Sequence, residues 1–188
     1  MVPLMSLWMP ILLSAVAVFI ASSIIHMVLG YHKSDFSRLP NEAAATDALR
    51  ALNLAPGDYM LPLPNSAAAM KDPAFIERIT KGPNLFLTVF PPTNGPPNMN
   101  KQLGQWFVYC AVVALFSAYV AGRTLAPGAE YLSVFRVAGT VAFTSFALAQ
   151  WQHVVWYHRS VRTTLTATFD SLIYALLTGG VFGWLWPM

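Results

Sequence analysis

The sequence predicts an all-α membrane protein: a bundle of four transmembrane helices with a small α+β cytoplasmic loop region between the first and second. Two observations predict this class. Apolar residues make up 56% of the 188 residues and charged residues only 10%, whereas an average soluble domain is about 25% charged. The apolar residues also form four stretches, each long enough to cross a hydrocarbon layer about 30 Å thick. These stretches are Leu7–Leu29, Leu103–Ala126, Leu132–Trp156 and Thr163–Trp186.

Lysine and arginine are distributed unevenly between the two ends of these helices. Nine of the eleven lie in the loops 32–102 and 157–162, and the other two, Arg123 and Arg136, lie around the turn between the second and third helices. Cytoplasmic loops of membrane proteins are enriched in both residue types. We therefore expect those two loops in the cytoplasm and both termini outside. Residues 1–31 are expected to hold an uncleaved first helix, because no lysine or arginine precedes its apolar stretch, whereas Lys33 and Arg38 follow it.

The loop 32–102 is expected to carry secondary structure of its own and to cap the bundle. Asn41 suits the N-cap of a helix over Glu42–Leu52. Asp72, followed by proline, opens a second helix that ends before Gly82. A strand pair is expected from β-branched and aromatic residues: Tyr59–Leu63 and Leu85–Phe90. The remaining residues, 103–188, form the second to fourth membrane helices.

All four histidines lie near the predicted cytoplasmic side. His26 and His32 flank the end of the first helix, and His153 and His158 flank the end of the third. Asp170 lies in the fourth helix, roughly 10 Å from the same boundary at about 1.5 Å per residue. Imidazoles and carboxylates ligate transition metals, and two imidazoles can hold a haem iron. We therefore consider His26, His153 and Asp170 a candidate cofactor site and all five residues candidate metal ligands.

Asp170 also has a purely structural interpretation. A carboxylate this deep costs on the order of 3 kcal/mol on insertion scales, so it should face the bundle and pair with His26, His153 or Arg162. Its polar neighbours recur at i,i+3/i+4 spacing along one stripe: Thr163, Thr166, Tyr174 and Thr178. Hydrogen bonds between helices would satisfy these groups without a ligand. A substrate or proton path along the stripe is the functional alternative.

Small residues give the fourth helix a face for close packing at Gly179 and Gly183. The sequence lacks the motifs of phosphate-binding loops, serine hydrolases and zinc proteases. The leading expectation is a non-enzymatic accessory or scaffold subunit of a membrane assembly, with the lipid bilayer and a membrane protein or a second copy as partners. A haem- or metal-binding protein and a small oligomeric transporter are the alternatives. The thinly spread basic residues do not indicate nucleic acid.

Four short strings carry a resemblance over most of the chain: Tyr31–Phe36, Gly57–Met60, Ala121–Ala129 and Phe169–Leu177. In these the chain resembles a group of small bacterial integral membrane proteins of unknown function. The resemblance implies a location in the bacterial inner membrane, and it implies no activity.

Overall fold

The structure, a computed structural model, describes residues 1–96 and 98–188. It is mostly helical, with one two-stranded sheet among the described residues. The chain divides into two compact units. The first comprises Met1–Phe36 and Asn98–Met188, and the second comprises Ser37–Pro97.

Seven α-helices and two strands occur in the described residues. In chain order they are α1 (Trp8–Met27), α2 (Glu42–Ala51), β1 (Gly57–Leu61), α3 (Pro73–Lys81), β2 (Leu85–Val89), α4 (Asn100–Thr124), α5 (Tyr131–Ala147), α6 (Trp151–Tyr157) and α7 (Val161–Trp184). The first unit holds α1 and α4 to α7, and the second holds α2, α3 and both strands.

Four helical segments of the described chain are long and apolar enough to cross a membrane. They are Leu4–Met27, Asn100–Thr124, Tyr131–Tyr157 and Val161–Trp184. The predicted set of four apolar helices is therefore confirmed. All four belong to the first unit.

The third apolar segment is not the continuous α-helix expected over Leu132–Trp156. Helix α5 ends at Ala147, a 3₁₀ turn covers Leu148–Gln150, and α6 comes directly after it. A 3₁₀ turn has three residues per turn instead of 3.6, so three such residues rotate the next helix about its axis by roughly 60°. Side chains of α6 therefore point in directions that a single helix would not give them.

Small residues allow α5 and α7 to pack closely. A Cβ added at Gly179 would lie 2.8 Å from the carbonyl oxygen of Phe135, and one added at Gly183 would lie 2.7 Å from the Tyr131 ring. Both contacts are within the chain, so α5 occupies the small-residue face of α7. Alanines from α4 and α5 fill further core positions: Ala114, Ala118, Ala138 and Ala142.

The two short helices of the second unit begin at the predicted caps. The Asn41 side chain accepts a hydrogen bond from the Ala44 N–H at 3.1 Å at the start of α2. The Asp72 carboxylate accepts one from the Ala74 N–H at 2.9 Å at the start of α3. Gly82 follows the last residue of α3 with a positive φ of 64°, a conformation that favours glycine.

The predicted strand pair is present in the second unit, and β1 and β2 run antiparallel. The expected strand Tyr59–Leu63 is displaced towards the N-terminus and ends at Leu61. Pro62 comes next, and a proline has no N–H to donate to a strand ladder. The strand expected over Leu85–Phe90 ends one residue earlier.

Candidate metal site

The end of α1 is followed by a sharp turn that positions the candidate site. Gly30 adopts a left-handed conformation with φ 40°, which glycine adopts without steric cost. A 3₁₀ turn then covers Tyr31–Ser34. This turn brings the side chains of Tyr31 and His32 to Asp170 of α7. Residues from the first loop and from the fourth membrane segment therefore share one site.

Asp170 is buried, with 3% of its surface exposed, as the sequence predicted. Its Oδ1 accepts a hydrogen bond from the Tyr31 hydroxyl, and its Oδ2 lies 2.8 Å from Nε2 of His32. Tyr31 and His32 therefore take the place of the three expected partners. Within the described chain, none of His26, His153 and Arg162 forms a hydrogen bond or ion pair with Asp170, and the Arg162 guanidinium donates to the Ser34 hydroxyl at 3.3 Å.

His32 lies between two carboxylates, and a different ring nitrogen faces each of them. Its Nδ1 lies 2.7 Å from Oδ2 of Asp35, within hydrogen-bonding distance. Its Nε2 is close to Asp170, but the pair is not aligned as a hydrogen bond, and Nε2 is buried without a hydrogen-bond partner. If Nδ1 donates its proton to Asp35, Nε2 carries the lone pair. A carboxylate that holds the far nitrogen of a histidine is the usual support of a metal ligand.

His26 completes a group of three potential ligands. One ligand atom from each of His26, His32 and Asp170 lies within 4.8 Å of the other two. Ligand atoms around a tetrahedral zinc ion are about 3.3 Å apart, given metal–nitrogen bonds near 2 Å. The side chains would have to rotate to shorten the separations between ligand atoms from at most 4.8 Å to about 3.3 Å. The exposure of His26 leaves that side of the group open to an entering ion.

The charge of the group favours a cation. Within the described part of the chain, neither Asp35 nor Asp170 is ion-paired with a lysine or arginine. His26 lies in the last turn of α1, where the helix dipole also favours positive charge. Burial and the hydrogen bond to Asp170 raise the pKa of Tyr31 above its ordinary value of 10.0. The phenol therefore keeps its proton and acts as a donor to the carboxylate.

A haem does not fit this arrangement. The rings of His26 and His32 lie with their centroids 4.3 Å apart and their planes tilted by 35°. Two axial imidazoles of a haem lie on opposite faces of the macrocycle. Rings already in contact leave no room for a porphyrin between them.

The other two candidate ligands are not in the group. His153 lies on α6, with its ring centroid 5.5 Å from that of Tyr157. His158 follows α6 in a left-handed conformation with φ 51°. Both side chains are exposed. Of the five candidate ligands, the structure brings together His26, His32 and Asp170.

Two residues of the site, Tyr31 and Asp35, were not identified from the sequence. Tyr31 and Asp35 lie in the turn beyond α1, and the signal available for Asp35 was its i,i+3 spacing from His32. Nothing local in the sequence indicates that this turn folds back onto α7.

Comparisons of the chain with protein-family models, with curated proteins and with solved structures found no match.

Proposed function

We propose that this protein binds one divalent transition-metal ion through His26, His32 and Asp170. The observation that carries the proposal is the environment of His32. Its Nδ1 is held by Asp35, while its Nε2 is buried without a hydrogen-bond partner, 2.8 Å from Asp170. Because buried polar atoms nearly always have partners, a nitrogen in this state is suited to binding a metal.

The donor set narrows the class of ion. Two imidazoles and one carboxylate suit zinc or ferrous iron better than magnesium or calcium, which prefer all-oxygen sites. Three protein ligands also leave a coordination position open, as in catalytic zinc sites. An ion held here would act as a Lewis acid towards a molecule that reaches that position.

The same residues have a competing structural role. A protonated His32 between Asp35 and Asp170 would tie the turn after α1 to α7 without any ion. In that role the pairing would stabilise the bundle, and no metal would bind stoichiometrically. A measurement of metal binding by the purified protein distinguishes the metal site from this structural role.

The test is a titration of the purified, chelator-treated full chain in detergent with cobalt(II), an optical probe for zinc sites, and then with zinc. We expect one equivalent of cobalt to bind. His32→Ala and Asp170→Asn should lose this binding, whereas His153→Ala, a matched histidine outside the group, should retain it. Asp170→Asn keeps the side-chain shape, and its circular dichroism should match that of the wild type, so that its loss of cobalt can be assigned to the lost ligand. No stoichiometric cobalt, or equal binding by all four proteins, would overturn the proposal.

The location is part of the same proposal. We place the four apolar helices across a bacterial cell membrane, with both termini outside and residues 32–102 and 157–162 in the cytoplasm. The uneven distribution of lysine and arginine supports this orientation. Large apolar side chains exposed on the helices support contact with lipid: Leu12, Ile20, Phe116, Leu165 and Phe169. The metal site then lies at the cytoplasmic end of the bundle.

The accessory-subunit and transporter functions expected from the sequence remain proposals with less support. The face of α7 at Gly179 and Gly183, which could have received a partner helix, is occupied by α5. On the polar stripe, the Thr178 hydroxyl donates to the Tyr174 carbonyl of its own helix. A native mass showing a stable monomer without a co-purifying protein would count against both functions.

A further inference from the structure

A cleft of about 320 Å³ borders the candidate metal site. It lies between α1, α4, α7 and the end of α5, and two of the proposed ligands, His26 and Asp170, line it. An ion held by these two residues would therefore border the cleft. The cleft is the place from which a further ligand could reach the open coordination position.

Four aromatic side chains line the cleft: Trp106, Tyr109, Phe146 and Tyr174. Trp106 is the centre of this group, with ring centroids 5.6 Å from Tyr109, 6.1 Å from Phe146 and 6.0 Å from Tyr174. Ring pairs at such distances are packed as in an apolar core. A mostly apolar cleft with a few converging polar groups is typical of small-molecule sites.

One polar group in this wall has no partner. Tyr174 is buried, with 3% of its surface exposed, and its hydroxyl makes no hydrogen bond within the described chain. Buried hydroxyls are usually paired. A phenol that lines a cleft in this state can donate to an oxygen atom of a bound molecule.

We propose that the cleft binds an apolar molecule bearing an oxygen donor, such as a carboxylate, whose oxygen completes the coordination of the metal. The inference rests on the proposed metal site. With a divalent ion on Asp170, an oxygen anion is attracted and an organic cation is repelled. Tyr109 and Ala149, also in the wall, are exposed on the helical surface. Since helix surfaces of this unit face lipid in the proposed location, the molecule would be lipid-soluble.

The experiment uses benzoate as the probe and acetate as its small counterpart, both added to the cobalt-loaded full chain. We expect benzoate to change the visible absorption of cobalt and to bind at least tenfold more tightly than acetate. Equal affinities would mean that the metal alone recognises the carboxylate, and they would overturn the inference.

Variants that fill the cleft test its role without removing a ligand. Ala167→Phe narrows the wall on α7, and we expect it to bind cobalt normally but benzoate at least tenfold more weakly. Leu165→Phe, on the exposed surface of the same helix, should leave both affinities unchanged. If Ala167→Phe fails to fold, Ala149→Phe makes the same test from the 3₁₀ turn after α5. Unchanged benzoate affinity in the filled variant would overturn the inference.

Tyr174→Phe tests the hydroxyl. Loss of one hydrogen bond to a charged acceptor should weaken benzoate binding about tenfold or more, with the cobalt stoichiometry unchanged.

The two proposals, the metal site and the cleft that binds a carboxylate, fail in different ways. If the wild type binds no cobalt, the metal site is wrong. If it binds cobalt but its spectrum does not respond to benzoate, the metal site stands and the cleft inference is wrong.

Discussion

The Tyr31 hydroxyl donates a hydrogen bond to Oδ1 of Asp170, 139 positions away in the sequence. This bond leaves Oδ2 of the carboxylate to face His32. It also joins the turn after α1 to α7. Tyr31 therefore orients the Asp170 carboxylate. A protonated phenol is a poor metal ligand, so Tyr31 does not compete with Asp170 for the ion.

Removal of this hydroxyl should weaken the metal site without abolishing it. We expect Tyr31→Phe to bind one equivalent of cobalt with about tenfold lower affinity, because groups that orient a ligand typically contribute 10- to 100-fold. The measurement is a competitive titration against a chelator of known affinity. Tyr119→Phe, at an exposed position on α4, is the control and should match the wild type. Equal affinities of Tyr31→Phe and the wild type would show that the bond does not support the site.

The raised pKa of Tyr31 has a consequence for stability at high pH. Burial first, and then the hydrogen bond to Asp170, favours the neutral phenol in the folded state. The contribution is complete below the ordinary pKa of 10.0, and it is lost as the pH rises through the raised value. Thermal unfolding in detergent should therefore show a constant difference between the wild type and Tyr31→Phe below about pH 10 and a smaller difference above it. A constant difference up to the highest pH would contradict this assignment.

Asp35 should influence metal binding through His32. In Asp35→Asn the charge that holds Nδ1 is lost, so the tautomer with a free Nε2 is less favoured. We expect cobalt affinity to fall by about 10- to 100-fold. Asp47→Asn, at an exposed carboxylate of the second unit paired with Arg50, is the matched control. An affinity in Asp35→Asn equal to that of this control would argue that His32 is not a ligand.

The sequence predicted those parts of the fold that local patterns determine. The Asn41 and Asp72 caps mark where α2 and α3 begin, because their side chains bond to backbone N–H groups a few residues on. The burial of Asp170 followed from the cost of exposing a carboxylate to lipid. These properties depend on neighbouring residues or on the solvent and need no knowledge of the tertiary structure.

The partners of Asp170 could not be predicted in the same way. Tyr31 and His32 meet it because Gly30 redirects the chain after α1, and the direction of that turn is a tertiary property. His153 was expected in the site on the assumption of one continuous third helix. The 3₁₀ turn Leu148–Gln150 changes the direction in which its side chain leaves the helix. No local pattern in the sequence indicated that break.

Close packing between α5 and α7 predicts a sharp contrast between two adjacent glycines. An alanine at Gly179 would place Cβ 2.8 Å from the carbonyl oxygen of Phe135, whereas at Gly180 the nearest atom, the Tyr131 hydroxyl, is 3.6 Å away. Both substitutions gain the same helix propensity, about 1 kcal/mol, so their difference isolates the packing. We expect Gly179→Ala to lower the unfolding temperature in detergent and Gly180→Ala to leave it unchanged or raise it. A similar response of the two variants would contradict the close helix contact.

The proposed orientation in the membrane can be tested with single cysteines. Cys110 is the only cysteine, and it is buried, so Cys110→Ala provides a clean background. We expect a membrane-impermeant maleimide to label Glu130→Cys in intact bacterial cells. Ser66→Cys and Arg159→Cys should react only after permeabilisation, because both lie in the loops rich in lysine and arginine. The reverse pattern would invert the orientation. Labelling of Ser66→Cys and Arg159→Cys from opposite sides would be incompatible with four membrane crossings, since an even number of crossings separates those two loops.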